Sequence, residues 1–308
     1  MDASASNRRQ FLKLLGTAAV VGSVAPDVLG SVHAPKTTSL TILHTNDVHS
    51  RLDPFPMDGS RNAGKGGVAR RATLIRTIRQ EQKNVLLFDA GDIFQGTPYF
   101  NLYKGEPEIL AMSRLGYDAG TIGNHDFDGG IDNMVTQFGK ASFPLLIANY
   151  DFKNTVMDGK TLPYKIFDKD GIKIGVFGLG IKPEGLIPKD AYKETKYLDP
   201  VEIGNDTAAT LRNEKKCDYV VCLSHLGFKY DGPTVSDNVL AAQTRNIDLI
   251  IGGHTHTFLD APVAVNNLNA QPVWINQVGF AGINLGRIDL AFERGKAVSS
   301  AGKSVEVK

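Results

Sequence analysis

The sequence predicts an α/β fold built on a substantially parallel sheet. Three observations carry that prediction. From Thr38 onward, short apolar runs alternate with stretches of helical periodicity; five of those runs end in an acid, an amide or an imidazole; and glycines punctuate the exits. Alternation of strand and helix is the pattern of α/β proteins. In open sheets of that class, ligands bind beyond the C-terminal ends of the strands.

The elements follow in order. LTILH at 40–44 reads as the first strand. Val68, Ala72, Ile75 and Ile78 in GGVARRATLIRTIRQEQ recur at helical spacing and lead into VLLFD at 85–89. Arg70, Arg71 and Arg76 of that helix read as its solvated face. EPEILAMSRLG at 106–116 is the next helix, followed by strand candidates AGTIG at 119–123, PLLIAN at 144–149 and IKIGVFGL at 172–179. VEIGNDTAATLRNEKK at 201–216 predicts a helix before YVVCLS at 219–224 and IDLIIG at 247–252. PVWINQ at 272–277 and LGRIDLAF at 285–292 follow with little helix between, so part of the sheet is expected to be antiparallel. ERGKAVSSAGKSVEVK is small and polar and reads as a short C-terminal tail. With no internal repeat or low-complexity block, residues 35–308 read as a single domain.

Residues 1–34 read differently. A charged start, an apolar stretch from about Leu14 to Val24 and small residues up to Ala34 have the layout of an export signal. The apolar stretch is shorter than the roughly 20 residues that span a bilayer, so no membrane anchor is expected. Arg8 and Arg9, followed by QFLK, resemble a twin-arginine (Tat) signal, with Asn7 where Ser or Thr is usual. That predicts an exported, periplasmic protein. The leader carries Arg8, Arg9 and Lys13 with Asp2 and Asp27, leaving 31 basic and 31 acidic residues in the remainder. A neutral balance gives no support to nucleic-acid binding. Cys217 and Cys222 are the only cysteines, and five residues apart on one strand they would point to opposite faces, which disfavours a bridge.

The strand exits hold the chemistry. LTILH runs into TNDVHS with Asp47 and His49; VLLFD runs into AGDIFQG with Asp92; AGTIG runs into NHDFD with Asn124, His125, Asp126 and Asp128. YVVCLS ends on His225, and IDLIIG ends on GGHTHT with His254 and His256. Of the six histidines after the leader, five lie in these exits; His44, inside the first strand, reads as structural. Asp, Asn and His without Cys make an oxygen and nitrogen shell suited to Zn, Mn, Fe, Mg or Co. Seven such groups exceed one four-coordinate ion but serve two ions that share a carboxylate, an arrangement suited to phosphoryl chemistry.

In this order, HTNDVHSRLD, FDAGDIFQGTPYF, GNHDFD, SHLG and GGHTHT resemble the metallophosphatase domain of the 5′-nucleotidase family, among the calcineurin-like metallophosphoesterases. NQVGFAGINLGRIDL resembles its closing strands. The resemblance implies a four-layer α/β/β/α sandwich with two divalent metal ions at the strand ends. It implies that Asp47, His49 and His256 hold one metal, Asn124, His225 and His254 the other, and that Asp92 bridges them. It implies that His125, oriented by Asp128, is catalytic, and that Asn124 and His125 face the substrate. Asn46, Asp89 and Asp126 become hydrogen-bonding supports. The implied activity is hydrolysis of nucleotides or related phosphate esters by a metal-bound hydroxide.

The chain departs from that family by stopping where a second, nucleotide-binding domain would begin. A separate nucleotide-binding chain is one partner that this departure admits; the loops LDPFPMDGSRNAGKGG at 52–67 and KPEGLIPKDAYKETKYLDP at 182–200 are another source of a pocket. Other readings share the centre: a cyclic-nucleotide phosphodiesterase, a nucleotide-sugar pyrophosphatase, a sulfur-ester hydrolase, or a non-catalytic metal-loaded binding subunit. The complete ligand set opposes the last.

Overall fold

The computed structural model describes residues 37–308; the leader expected over 1–34 lies outside the described residues. Among them are strands β1 (Thr37–Thr45), β2 (Val85–Asp89), β3 (Ala119–Gly120), β4 (Tyr150–Asp151), β5 (Tyr164–Lys169), β6 (Ile172–Leu179) and β7 (Lys196–Tyr197). Then come β8 (Tyr219–Ser224), β9 (Leu249–Gly252), β10 (Val263–Asn266), β11 (Pro272–Asn276), β12 (Asn284–Glu293) and β13 (Lys296–Glu306). The helices are α1 (Val68–Glu81), α2 (Pro98–Tyr103), α3 (Glu106–Leu115), α4 (Gly130–Phe138), α5 (Lys189–Tyr192), α6 (Pro200–Ala209) and α7 (Asp237–Gln243). None of these helices is long and apolar enough to cross a membrane.

The strands form two large sheets, ordered β13-β12-β1-β2-β3 and β10-β11-β9-β8-β6-β5, and the short pair β4-β7. β1, β2 and β3 run parallel, as do β6, β8, β9 and β11. β12 and β13 are antiparallel additions to one sheet, β5 and β10 to the other. Every residue of β2 and β8 is buried, as expected of strands covered on both faces.

Three apolar clusters define four layers. Leu40, Ile42, Leu86, Phe88, Ile288 and Leu290 of the first sheet meet Ile174, Val176, Val221, Leu223 and Ile251 of the second. The other face of the first sheet packs on α1, α3 and α4 through Ile75, Ile109 and Ile131. The other face of the second packs on α6 and α7 through Ala208 and Leu240. This is the α/β/β/α sandwich. It turns the C-terminal ends of β1, β2 and β3 toward those of β8 and β9.

Four expectations change. Residues 296–306 form β13, paired with β12 from Asn284↔Glu306 to Glu293↔Lys296, rather than a loose tail. Backbone pairing holds it, so its small polar side chains show no alternation. PLLIAN at 144–149 forms only isolated bridges from Leu145 and Leu146. Its hydrogen bonds divide between the sheets, with Leu146 donating to Gly120 and Ala148 to Gly178, so no single ladder develops. Arg71 is 2% exposed, unlike Arg70 and Arg76, because it shares the inner face of α1 with Ile75 and Ile78. Cys217 precedes β8 and packs in the same cluster as Cys222; both are free thiols.

Candidate metal centre

Five loops leave the adjoining strand ends and bring seven donors into two groups. Asp47, His49 and His256 form one; Asp92, His225 and His254 form the other, each with ligand atoms within 4.8 Å of one another. In the first, His256 Nε2 lies 3.3 Å from Asp47 Oδ1 and 3.0 Å from His49 Nε2. In the second, His225 Nε2 lies 3.1 Å from Asp92 Oδ2, and Asn124 Oδ1 joins at 2.7 Å from His254 Nδ1. Asp92 Oδ2 also lies 3.8 Å from His49 Nε2, so one carboxylate oxygen faces both groups.

The backbone at these positions is unusual. Asp47, His49, Asp92, His254 and His256 all have φ between 50° and 75°, the left-handed region that non-glycine residues avoid. Each costs about 1–3 kcal/mol and persists only where surrounding structure imposes it. Hydrogen bonds supply the constraint here. The Asp47 carboxylate accepts from His254 N at 3.0 Å and from Asn46 Nδ2 at 2.7 Å. Asn46 also accepts from Val278 N and donates to Gly279 O, tying the β1 exit to the loop after β11. Two glycines allow the closeness: a Cβ on Gly123 would lie 2.2 Å from Asp92 Oδ1, and one on Gly253 would lie 2.8 Å from His225 Nδ1.

The electrostatics fit a divalent cation. His225 Nδ1 lies 2.7 Å from Ala90 O; a carbonyl only accepts, so Nδ1 carries a proton and Nε2 faces the donor cluster. That Nε2 is fully buried with no hydrogen-bond partner. Burial opposes charge on His225, but the Asp92 carboxylate outweighs it and pushes the imidazole up to about 10. Burial would raise Asp92, yet His225 and then His49 hold its carboxyl well below the usual range. The pocket therefore demands positive charge at this point. Burial lowers His254 to about 4 and also lowers His49, keeping both imidazoles neutral, the form that binds metal.

His125 stands beside the donors, its ring 5.3 Å from that of His49. Its Nδ1 lies 2.8 Å from Asp128 Oδ2, and this hydrogen bond raises its pKa against the opposing effect of burial. His125 N also donates to Asp92 Oδ1 at 2.8 Å. The supports are buried: Thr45 Oγ1 donates to Asp89 Oδ2 at 2.6 Å, and His44, with no exposure, pairs with Asn276 at 2.9 Å. Two supports escape sequence reasoning. Gln277 accepts from Thr255 Oγ1 and donates to Gly253 O, bracing the loop that bears both paired histidines. Phe280 stacks on His256 with ring centroids 5.2 Å apart. Their only signal is their place in NQVGF, just past a strand.

The fold is that of a known class: the chain belongs to the calcineurin-like phosphoesterases, metal-dependent phosphoester hydrolases, whose family pattern matches residues 40–258. Within that class the similarity is to 5′-nucleotidases. The snake venom 5′-nucleotidase of Naja atra is 35% identical over 289 residues, covering 86% of this chain and 53% of the relative. The structure of the 5′-nucleotidase precursor from Thermus thermophilus superposes with a TM-score of 0.80 at 31% identity, over 88% of this chain and 55% of that one. The calcineurin-like phosphoesterase YfkN from Bacillus subtilis superposes with a TM-score of 0.72 at 27% identity, over 88% of this chain and 92% of that one. The chain thus spans about half the length of the curated 5′-nucleotidases it matches.

Proposed function

We propose that this chain is an exported phosphoesterase that uses two divalent metal ions to hydrolyse nucleotides or related phosphate esters. One observation carries the reading: Asp92 Oδ2 faces His49 Nε2 and His225 Nε2 at 3.8 and 3.1 Å, as a carboxylate shared between two cations would. Asp47, His49 and His256 would hold one ion, and Asn124, His225 and His254 the other. Bound divalent ions supply Lewis-acid stabilisation of phosphoryl oxygens and lower the pKa of water.

The chain's own side chains do the rest. Asn124 and His125 face the phosphoryl group, and His125 delivers a proton to the departing oxygen. Asp128, bonded to His125 Nδ1, fixes the ring's orientation and favours its protonated form, as a general acid requires. The backbone N–H of His125 on Asp92 keeps acid and bridge in register. The 5′-nucleotidase relatives support a nucleotide substrate, and Arg8 with Arg9 supports export through a twin-arginine signal, cleaved near Ala34.

The test is phosphate release after chelation and add-back of Mn, Zn, Mg or Co, using an aryl phosphate and 5′-AMP side by side. Restored hydrolysis of both is expected. Metal-independent activity, or silence on both esters with two equivalents bound, would overturn the reading.

A further inference from the structure

Beside the donor cluster lies a cleft of about 310 Å³, within the roughly 300–1,000 Å³ typical of small-molecule sites. One wall is α2. Tyr99 and Tyr103 are four residues apart and so share a face of that helix, with ring centroids 6.5 Å apart and a 30° tilt. Leu52, Pro98 and Leu102 complete a mainly apolar lining. Leu102 is 72% and Tyr103 54% exposed, so the shelf stands open to solvent. Contiguous apolar surface rimmed by polar groups marks a binding site. The rim here is Arg51, whose guanidinium lies 4.2 Å from the Phe55 ring, and Asp53, which accepts the Tyr99 hydroxyl at 2.8 Å.

The cleft adjoins the loop that carries His49. Arg51 and Leu52 lie two and three residues beyond His49. A Cβ on Gly96 would lie 2.9 Å from His49 Cβ, and Thr97 Oγ1 donates to Ser50 O at 2.8 Å. Past the other end of α2, Lys104 O accepts from Asn133 Nδ2 at 3.0 Å. Asn133 in turn packs against Gly129, the residue after Asp128. The shelf is thus tied at one end to the His49 loop and at the other, through Lys104 and Asn133, to the segment that follows Asp128.

We propose that Tyr99 and Tyr103 form a shelf on which the planar base of a nucleotide substrate stacks while its phosphate occupies the donor cluster. The inference rests on the nucleotide reading above and deepens it by locating base recognition on this chain. Two neighbouring ring faces with few polar groups suit any base, because stacking needs only a π face. Selectivity among bases is then weak, and a base is preferred over none.

Adenosine, which has no phosphate, separates the two readings. It is titrated calorimetrically into the metal-loaded protein, with hydrolysis of 5′-AMP and of base-free ribose 5-phosphate measured in parallel. Adenosine is expected to bind, and Tyr103→Ala or Tyr99→Ala to weaken it about 10-fold, in line with stacking energies for single bases. The ratio of kcat/KM for 5′-AMP over ribose 5-phosphate should fall by a similar factor. Tyr103→Phe keeps the ring and should retain binding. Hydrolysis of ribose 5-phosphate without adenosine binding would overturn the shelf and leave the enzyme reading standing. Adenosine binding without hydrolysis of either ester would do the reverse. A dimer dissolved by Leu102→Asp, with adenosine affinity unchanged, would reassign the patch to a second copy of the chain and also overturn the proposal.

Discussion

The backbone N–H of Asp92 donates to Asp126 Oδ2 at 3.1 Å, so the carboxylate that faces both donor groups is held from behind by another acid. Asp126 also accepts from Gly123 N, Ile93 N and Phe94 N at 2.8, 2.9 and 3.1 Å. Four N–H groups from the exits of β2 and β3 thus converge on one side chain. Burial, then the Asp92 charge, pushes its carboxyl up to about 7 against the hydrogen bonds from Gly123 and Phe94.

Asp126→Asn should therefore loosen both loops. An amide cannot accept at its nitrogen, so two buried N–H groups lose their acceptor, at about 1–3 kcal/mol each. Metal affinity should fall roughly 10–100-fold, the usual effect of removing a partner that orients a ligand. Denaturant unfolding and metal titration check this; wild-type affinity in the variant would remove the clamp.

On the proposed two-ion reading, Asp92→Ala should abolish binding of both metal equivalents, since one carboxylate would serve two ions. Metal content after dialysis is the measurement. A variant that retains two equivalents would mean that each group is self-sufficient.

His125→Ala should keep both metals and lose about 10²–10⁴-fold in kcat, the worth of a positioned proton donor. Loss of metal instead would make His125 a ligand and undo the division of roles.

Gly123→Ala probes the close approach beneath Asp92. The added Cβ would sit 2.2 Å from Asp92 Oδ1 and 2.4 Å from its N, so the bridging loop must shift. Overpacking of this kind costs about 1–3 kcal/mol. Metal affinity should drop at least about tenfold with the fold intact by circular dichroism, and unchanged affinity would contradict the geometry.

His44 is wholly buried, and burial lowers its pKa from 6.5 to about 3. The unfolded chain then binds a proton that the folded one refuses, so stability contributed at neutral pH is lost as pH falls below 6.5. The slope is about 1.4 kcal/mol per pH unit. Between pH 7.5 and 5, wild type should lose about 2 kcal/mol more than His44→Gln, measured by urea unfolding at both pH values. Equal losses would mean that the imidazole is protonated in place.

The donors were readable from sequence because each stands directly after an apolar run whose strand character is unmistakable. VLLFD before Asp92 and IDLIIG before His254 are the clearest cases. Partners of side chains were far less readable. Asp126 bonds to backbone N–H groups some thirty residues away, and Gln277 braces a loop twenty residues upstream, so neither leaves a local pattern. Short elements escaped as well. α7 is seven residues long, and β10 has mainly exposed side chains. The misreading of β13 is instructive, because an edge strand can be held by its neighbour's backbone while its own composition looks like a linker.

The place of β1 between β2 and β12 sets the order in which the molecule can be completed. The first described strand pairs from Thr37↔Glu293 to His44↔Gly286, across nearly the whole length of the chain. At about 5–20 residues per second of synthesis, β1 waits on the order of tens of seconds for that neighbour. Until then one edge of β1, the strand that leads into Asp47 and His49, is open, and Ala281, which donates to Asp47 O, has not yet been made. The donor cluster is thus a late product of biosynthesis, so a nascent chain stalled before residue 284 should hold metal poorly however well its helices have formed.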